Sequence, residues 1–440
     1  MILRTELRRS AAPVVGVGFV VVTFALIYGL SGPWHKGTAP WNEQWTGLAQ
    51  WPRSLMMFLW PLVLGAGAWQ GLRDKRSHVT ELLGTTPRPS WRRALPLVGA
   101  MLLAMFAGYL VVLVVGGVQV AAHASYFPTA SFAVVGVMVL ALAGSVLLGV
   151  GLGRLVPSPL TPPVVAILAL AVQIAAQNGW PLLLTPAFNG LDITVFTTVA
   201  PAVSLSQTVW FLGIGATGFG LVVAVRARHR LVALLPVAVA AGVTLPALSG
   251  VDSVVVADPG SRELLCDKDV CVTRAHESYL TTVRAPARSA LTLLRNLPDA
   301  PTSVVEIVPD EGYRPPPANV VPMFVGLDAS GYPDSFLTQP ADIERELVGN
   351  AVVPECRRDG SDGWEAYVGN AVARAVAVGW ATGAAGPVVD DPSSWGDEYD
   401  RFERAWAAFT TLPANEQRDR VIALRAAAHD CQHNLLSILA

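Results

Sequence analysis

Charge is scarce in this sequence. Asp, Glu, Lys and Arg make up 15% of its 440 residues, where a soluble domain carries about 25%, and mean hydropathy is +0.46. That deficit excludes an ordinary soluble enzyme. Acids are scarcest at the start, where only Glu6, Glu43, Asp74, Glu81 and Asp192 fall within residues 1–249. Lysine is rare throughout, being confined to Lys36, Lys75 and Lys268. A P-loop needs G-x-x-x-x-G-K-[ST], whose lysine holds the β- and γ-phosphates. The three lysines follow His35, Asp74 and Asp267 instead of glycine, so the chain is not itself a P-loop ATPase. Two other catalytic signatures are missing. His276-Glu277 opens an H-E-x-x-H match, but Leu280 stands in the fifth position; a cap at the start of a helix over 275–297 is the simpler reading. No G-x-S-x-G elbow occurs, and Gly360-Ser361-Asp362-Gly363 reads as a turn. The sequence therefore offers no catalytic, cofactor-binding or metal residue, and calls for no nucleic-acid partner.

Long apolar runs are what the sequence has instead. A membrane-crossing helix needs about 20 mostly apolar residues. Seven stretches qualify, at 12–31, 54–72, 94–116, 130–153, 161–178, 207–225 and 231–249. The weakest is 161–178, which is short and follows Pro159, Pro162 and Pro163. The first stretch, behind Arg4, Arg8 and Arg9, could be a signal peptide. Its apolar part is long and no A-x-A site follows, so we read it as a retained helix. Gly213–Gly218 formally matches the dinucleotide fingerprint G-x-G-x-x-G, but it lies inside an apolar run without the strand that fingerprint requires. Small residues there let helices pack closely.

The charges that remain are unevenly placed. Residues 1–249 hold 15 Lys and Arg against 5 acids, whereas residues 250–440 hold 16 against 28. The overall −2 is thus a cancellation of +10 by −12. Cytoplasmic loops are enriched in Lys and Arg. With the N-terminus inside, the inner loops 1–11, 73–93, 154 and 226–230 carry 13 basic residues, and the outer loops 32–53, 117–129 and 179–206 carry only Lys36 and Arg53. Seven crossings then put residues 250–440 outside the cytoplasm. Trp34, Trp41, Trp45 and Trp51 crowd the first outer loop, as interfacial anchors do.

The most informative loop is 69–93, Trp-Gln-Gly-Leu-Arg-Asp-Lys-Arg-Ser-His-Val-Thr-Glu-Leu-Leu-Gly-Thr-Thr-Pro-Arg-Pro-Ser-Trp-Arg-Arg. Its basic residues alone need no more than the positive-inside rule. A short helix over 77–83, capped by Ser77, ends before Thr86-Pro87, because the residue before proline disfavours the helical region. With its glutamate-leucine-leucine-x-threonine-threonine-proline run ahead of a basic cluster, this loop resembles the first intracellular loop of ABC-2 type permeases, the membrane subunits of bacterial ABC transporters. The basic N-terminus and the position of the loop between the second and third runs are similar too. The resemblance covers residues 1–230. It implies a six-span permease and a separate nucleotide-binding subunit that carries ATP and Mg. It further implies a second permease chain, as a homodimer or heterodimer, and export of an amphipathic, peptide or lipid-like substrate. Ser77, Glu81, Leu82, Leu83, Arg88, Trp91 and Arg92 would then form the loop that meets the ATPase, with Thr5–Arg9 a second contact. In that family the stretch equivalent to 179–206 often forms a re-entrant hairpin. The chain departs from the pattern in turning back at Arg226–Arg230 into a seventh run.

The expected organisation is a polytopic α-helical membrane domain, 1–230, a seventh helix, 231–249, and an α/β or α+β extracytoplasmic domain, 250–440. In the last, Ser253–Val256, Val270–Thr273, Ser303–Val308 and Val320–Val325 read as strands. Residues 275–297, 337–350, 363–381, 396–411 and 414–436 read as helices. Leu280, Val283, Ala287, Leu291 and Leu294 form one apolar helix face, and Trp364, Trp380, Trp395 and Trp406 are candidates for the core. Every cysteine lies here: Cys266, Cys271, Cys356 and Cys431. An even number in an exported region suggests disulfides. We favour Cys266–Cys271, across a tight loop between two strands, and Cys356–Cys431. The alternative is metal binding aided by His429 and His433, although C-x₄-C with a remote C-x-H is not a standard zinc spacing. As function, the sequence favours a permease at the cell membrane, embedded among its lipids. The other reading is a membrane-tethered sensor or interaction protein whose outer domain binds a ligand or envelope component.

Overall fold

The computed structural model describes residues 5–7, 10–31, 44–73, 89–122, 124–177, 180–187, 193–224, 226–249, 253–308, 315–325, 339–354, 356, 364–384, 397–432 and 434–439. The chain is mostly helical and divides into two compact units, Met1–Asp258 and Pro259–Ala440.

The first unit contains α1 (Ala12–Ser31), α2 (Trp45–Gly71), α3 (Ser90–Val120), α4 (Ala130–Leu155), α5 (Thr161–Ala175), β1 (Thr197–Val199), α6 (Pro201–Val223), α7 (Ala227–Val232), α8 (Leu235–Ser249) and β2 (Val255–Ala257). Among the described residues, five helical stretches are long and apolar enough to cross a membrane: Ala12–Gly29, Ser90–Val120, Ala130–Leu155, Pro201–Val223 and the combined α7–α8 stretch Ala227–Ser249. Two of the seven expected runs are not among them. The 54–72 run belongs to α2, which is long enough at 27 residues but includes Arg53, Gln50, Gln70 and four tryptophans. The 161–178 run yields α5, only 15 residues. At 1.5 Å per residue that is about 22 Å, short of a ~30 Å hydrocarbon core.

Tight helix packing follows from small residues. A side chain built at Gly149 or Gly153 of α4 would collide with the carbonyls of Leu64 and Ala68 in α2. One at Gly218 of α6 would strike the α4 backbone at Leu147 and Leu148. Thus the Gly213–Gly218 run serves helix contact. Without a hydrophobic drive between helices in lipid, such close backbone approach is what dispersion forces need. The core of this unit is built on Met56, Leu59, Met101, Met105, Met138 and Leu142, all buried.

Three loop expectations change. Arg53, Trp45 and Trp51 lie within α2, not in an outer loop, and Arg53 is fully buried. The 179–206 segment gives a 3₁₀ turn at Trp180–Leu184, then β1, and α6 begins at Pro201. The strand expected at Ser253–Val256 belongs to the first unit, where β2 pairs antiparallel with β1 through Thr198↔Val256. The boundary between units accordingly falls at Asp258, beyond the expected 249–250.

The second unit carries β3 (Leu264–Asp267), β4 (Val270–Thr273), α9 (Leu280–Leu293), β5 (Ser303–Glu306), β6 (Val320–Met323), α10 (Pro340–Val352), α11 (Trp364–Thr382), α12 (Asp397–Thr410), α13 (Ala414–His429) and α14 (Leu436–Leu439). Strand order is β3-β4-β5-β6. β3 and β4 form an antiparallel hairpin, whereas β4, β5 and β6 run parallel. Parallel neighbours need a long crossover, which α9 supplies between β4 and β5. Val283, Ala287 and Leu291 are buried on its inner face, and Leu294 is buried just beyond its end. The helix is shorter than expected, because Arg274–Tyr279 ahead of it and Leu294–Asn296 behind it are 3₁₀ turns. Trp380 and Trp406 pack at the edge of the core, and Trp406 stacks between buried Phe402 and Phe409. Trp395 lies outside the described residues, as does the side chain of Trp364.

Candidate functional site

The basic residues of the first unit collect where its helices end. Arg73, just after α2, pairs with Glu6, ahead of α1, at 2.5 Å. Ser90 Oγ, at the start of α3, donates to the Val223 carbonyl at the end of α6 (2.9 Å). Arg154 Nη1, in the last turn of α4, donates to the Val222 carbonyl (3.1 Å). One end of the helix bundle therefore gathers residues 6, 73, 90–93, 154, 223–224 and 226–230. Trp91 is 43% exposed there, and the Arg92 guanidinium lies 5.0 Å from its ring centroid, a cation–π contact. Both belong to the expected coupling loop. Ser77, Glu81, Leu82, Leu83 and Arg88 fall outside the described residues.

A buried polar cluster occupies the opposite ends of α2 and α6. Arg53 donates through Nη2 to Gln207 Oε1 and through Nε to the Pro186 carbonyl (3.4 Å). Gln207 Nε2 in turn donates to the Leu183 carbonyl (2.8 Å), and Trp210 Nε1 to that of Leu184 (2.9 Å). These side chains satisfy carbonyls of the Trp180–Leu184 turn that no helix ladder reaches. Irregular backbone beside apolar helices is tolerated only when protein buries it, and Arg53, Gln207 and Trp210 do that here. Sequence reasoning placed Arg53 in a loop because a lone arginine next to Pro52 and Trp51 reads as a boundary. No local pattern announces its partner 154 residues away.

The second unit buries its polar groups around Glu306. Its Oε2 accepts from Thr273 N (2.6 Å) and Thr273 Oγ1 (2.9 Å), and its Oε1 lies 2.6 Å from His276 Nδ1. All three residues are buried. His276 is thus no helix cap. It pairs with an acid that the sequence reading passed over. A signal existed: along β5 burial alternates, with Val304 and Glu306 facing inward, so Glu306 is an acid on an apolar strand face. Hydroxyl, carboxylate and imidazole together suggest a catalytic set, but no solvent reaches them. The carboxylate instead receives the orphan N–H of the turn that leaves β4.

Arg425 is the second hub. From α13 it donates to the carbonyls of Ala351 (3.2 Å), Pro298 (2.6 Å), Asp299 (3.0 Å) and Ala318 (2.6 Å). Burial lowers its pKa, opposed by the charge of Asp299. His429, one turn on, is also pushed below its usual value, first by burial and then by the Arg425 charge. The cysteine sulfurs stand at bonding distance in the favoured pairs, 2.08 Å for Cys266–Cys271 and 2.03 Å for Cys356–Cys431. Cys431 is therefore joined to a cysteine, and His433 lies outside the described residues. Among the described residues no group of three His, Cys, Asp or Glu could hold a metal ion.

No protein family, curated protein or solved structure matches this chain.

Proposed function

We propose that this chain is the membrane permease subunit of an ABC transporter, exporting an amphipathic, peptide or lipid-like substrate with ATP hydrolysed on a separate subunit. The observation that carries the proposal is the Glu81-Leu82-Leu83-Gly84-Thr85-Thr86-Pro87 run with its basic cluster, set between helices α2 and α3. The same bundle end holds the Glu6–Arg73 pair, Trp91 and Arg92, so a partner docking there meets a basic, aromatic surface. In this reading the N-terminus is cytoplasmic, residues 250–440 are extracytoplasmic, and two permease chains form the pathway. Helices α2 and α5 complete it as less regular spans, with the Arg53–Gln207 cluster bracing the outer mouth. The test is purification of the full chain from native membranes. A partner bearing G-x-x-x-x-G-K-[ST] is expected, with Mg-dependent ATP hydrolysis, and Leu82→Asp with Leu83→Asp should remove it. Recovery without any such ATPase, or association indifferent to those substitutions, overturns the proposal.

A second reading has its own observation. The separately compact, disulfide-paired unit Pro259–Ala440 suits a sensor that binds a ligand or envelope component. Ligand binding by the full chain in vesicles, with no ATP-dependent flux, would favour it.

A further inference from the structure

Helix α8 is preceded by the short, strongly basic helix α7, with Arg226 just ahead of it. Arg226, Arg228 and Arg230 are all exposed, and among the described residues none pairs with a carboxylate. Beside them α4, α6 and α7–α8 diverge around a groove of about 620 Å³. Leu152 and Leu155 of α4, Leu221 of α6, and Leu231 and Leu234 beyond α7 line it, and Arg230 stands at its edge. The groove persists because the helix is broken there. Residues 233–234 form a turn between α7 and α8, and the freed Val237 N–H is taken up by Thr217 Oγ1 at 3.0 Å on the groove floor. Close contact resumes where Gly213 meets Ala240 and Gly220 meets Ala233.

We propose that this groove is a binding site for an anionic phospholipid, with an acyl chain along the leucines and the phosphate held by Arg230, the arginine that lines it. Three observations select that occupant. The cations are unneutralised, and basic pockets between spanning helices hold anionic headgroups. The lining is almost wholly apolar, so a polypeptide segment would enter with unsatisfied backbone groups, whereas an acyl chain brings none. Leu231, 71% exposed, and Leu234, 47% exposed, open the groove sideways, the direction from which a lipid enters. The site does not depend on the ATPase reading.

The experiment uses the full chain in detergent, titrated with phosphatidylglycerol or phosphatidylcholine and read by native mass spectrometry. Phosphatidylglycerol should be retained preferentially. An arginine near a membrane surface contributes about 1 kcal/mol, so Arg230→Ala should lower retention about fivefold, whereas Arg228→Ala, on the other face of α7, should change it little. Arg230→Lys should keep most of it. Leu152→Trp fills the groove, leaves every charge, and should release the lipid as well. Glycerol 3-phosphate should not compete. Equal retention of the two lipids, or no effect of either Arg230→Ala or Leu152→Trp, overturns the site. Displacement by glycerol 3-phosphate makes it a free-phosphate site instead. Crosslinking of Leu234→Cys to a second copy or another protein makes the groove a protein interface and also overturns the proposal.

Discussion

Each unit buries an arginine, and the two solve that problem with different material. Arg53 leans on Gln207 and the Pro186 carbonyl, just past the Trp180–Leu184 turn. Arg425 is surrounded by four backbone carbonyls. The difference reflects what each fold has to offer. Helices of the first unit keep their carbonyls in their own ladders, so an arginine there must recruit side chains and the one irregular turn nearby. The second unit has strand ends, helix ends and loops converging on α13, and its open carbonyls are acceptors ready in place. The first unit is accordingly held by fit between backbones, the second by specific polar links and covalent bridges.

The largest effect tests the backbone fit. Gly149→Ala with Gly153→Ala forces methyl groups into the carbonyls of Leu64 and Ala68. Overpacking costs about 1–3 kcal/mol per site, so the pair should lose up to about 6 kcal/mol, seen as loss of monodisperse protein in detergent. Gly136→Ala is the control. Nothing lies within 4 Å of its new carbon, and replacing a helical glycine should gain about 1 kcal/mol. If both variants behave alike, the first unit is not held by close approach.

The covalent bridges come next. Cys356–Cys431 spans 75 residues and Cys266–Cys271 spans 5. Loop-closure entropy then predicts about 4.5 and about 2 kcal/mol respectively. Paired serine substitutions should therefore lower the denaturation midpoint of the second unit unequally, by near-ultraviolet circular dichroism of the full chain. Equal shifts would break that ranking. Glu306→Ala removes the acceptor shared by Thr273 and His276 and should cost about 1–3 kcal/mol for each buried donor left unpaired. A loss below about 1 kcal/mol would show that water takes the place of the carboxylate.

The smallest effect is a pH dependence. His429 is held below its ordinary pKa of about 6.5 by burial and by Arg425. Its neutral form is thus favoured in the folded state, and the unfolded chain binds the proton more readily. Stability is fully present above pH ~6.5 and declines as pH falls through the lowered value. His429→Gln should flatten that part of the curve. A midpoint that rises on acidification from pH 7 to 5, and does so only with His429 present, would reverse the assignment.

Much of the fold is legible in the sequence. Apolar runs locate α1, α3, α4, α6 and the α7–α8 pair, and β4, β5 and β6 sit where β-branched runs place them. The legible part is local, since a run of leucine and valine has one favourable outcome in lipid. The misreadings share a cause. Arg53 looks like a boundary residue, Glu306 passes unremarked within its strand, and the strand expected at Ser253–Val256, which forms at Val255–Ala257, looks like the start of the outer domain. Their partners are Gln207, His276 and Thr197–Val199, and two of these lie more than 50 residues away. Of the candidate coupling loop, Trp91 and Arg92 are seen at an exposed helix start.

Composition and order therefore settle that this chain carries helices long and apolar enough to cross a membrane, an uneven charge and cysteines confined to one region. Those properties follow from how each residue partitions between water and an apolar phase, which needs no knowledge of its neighbours in space. The tertiary structure alone decides which polar groups share a hydrogen bond, which glycines bear a helix contact, and where one unit ends. Each of those depends on two segments meeting, and the free energy of a contact is not a property of either segment alone.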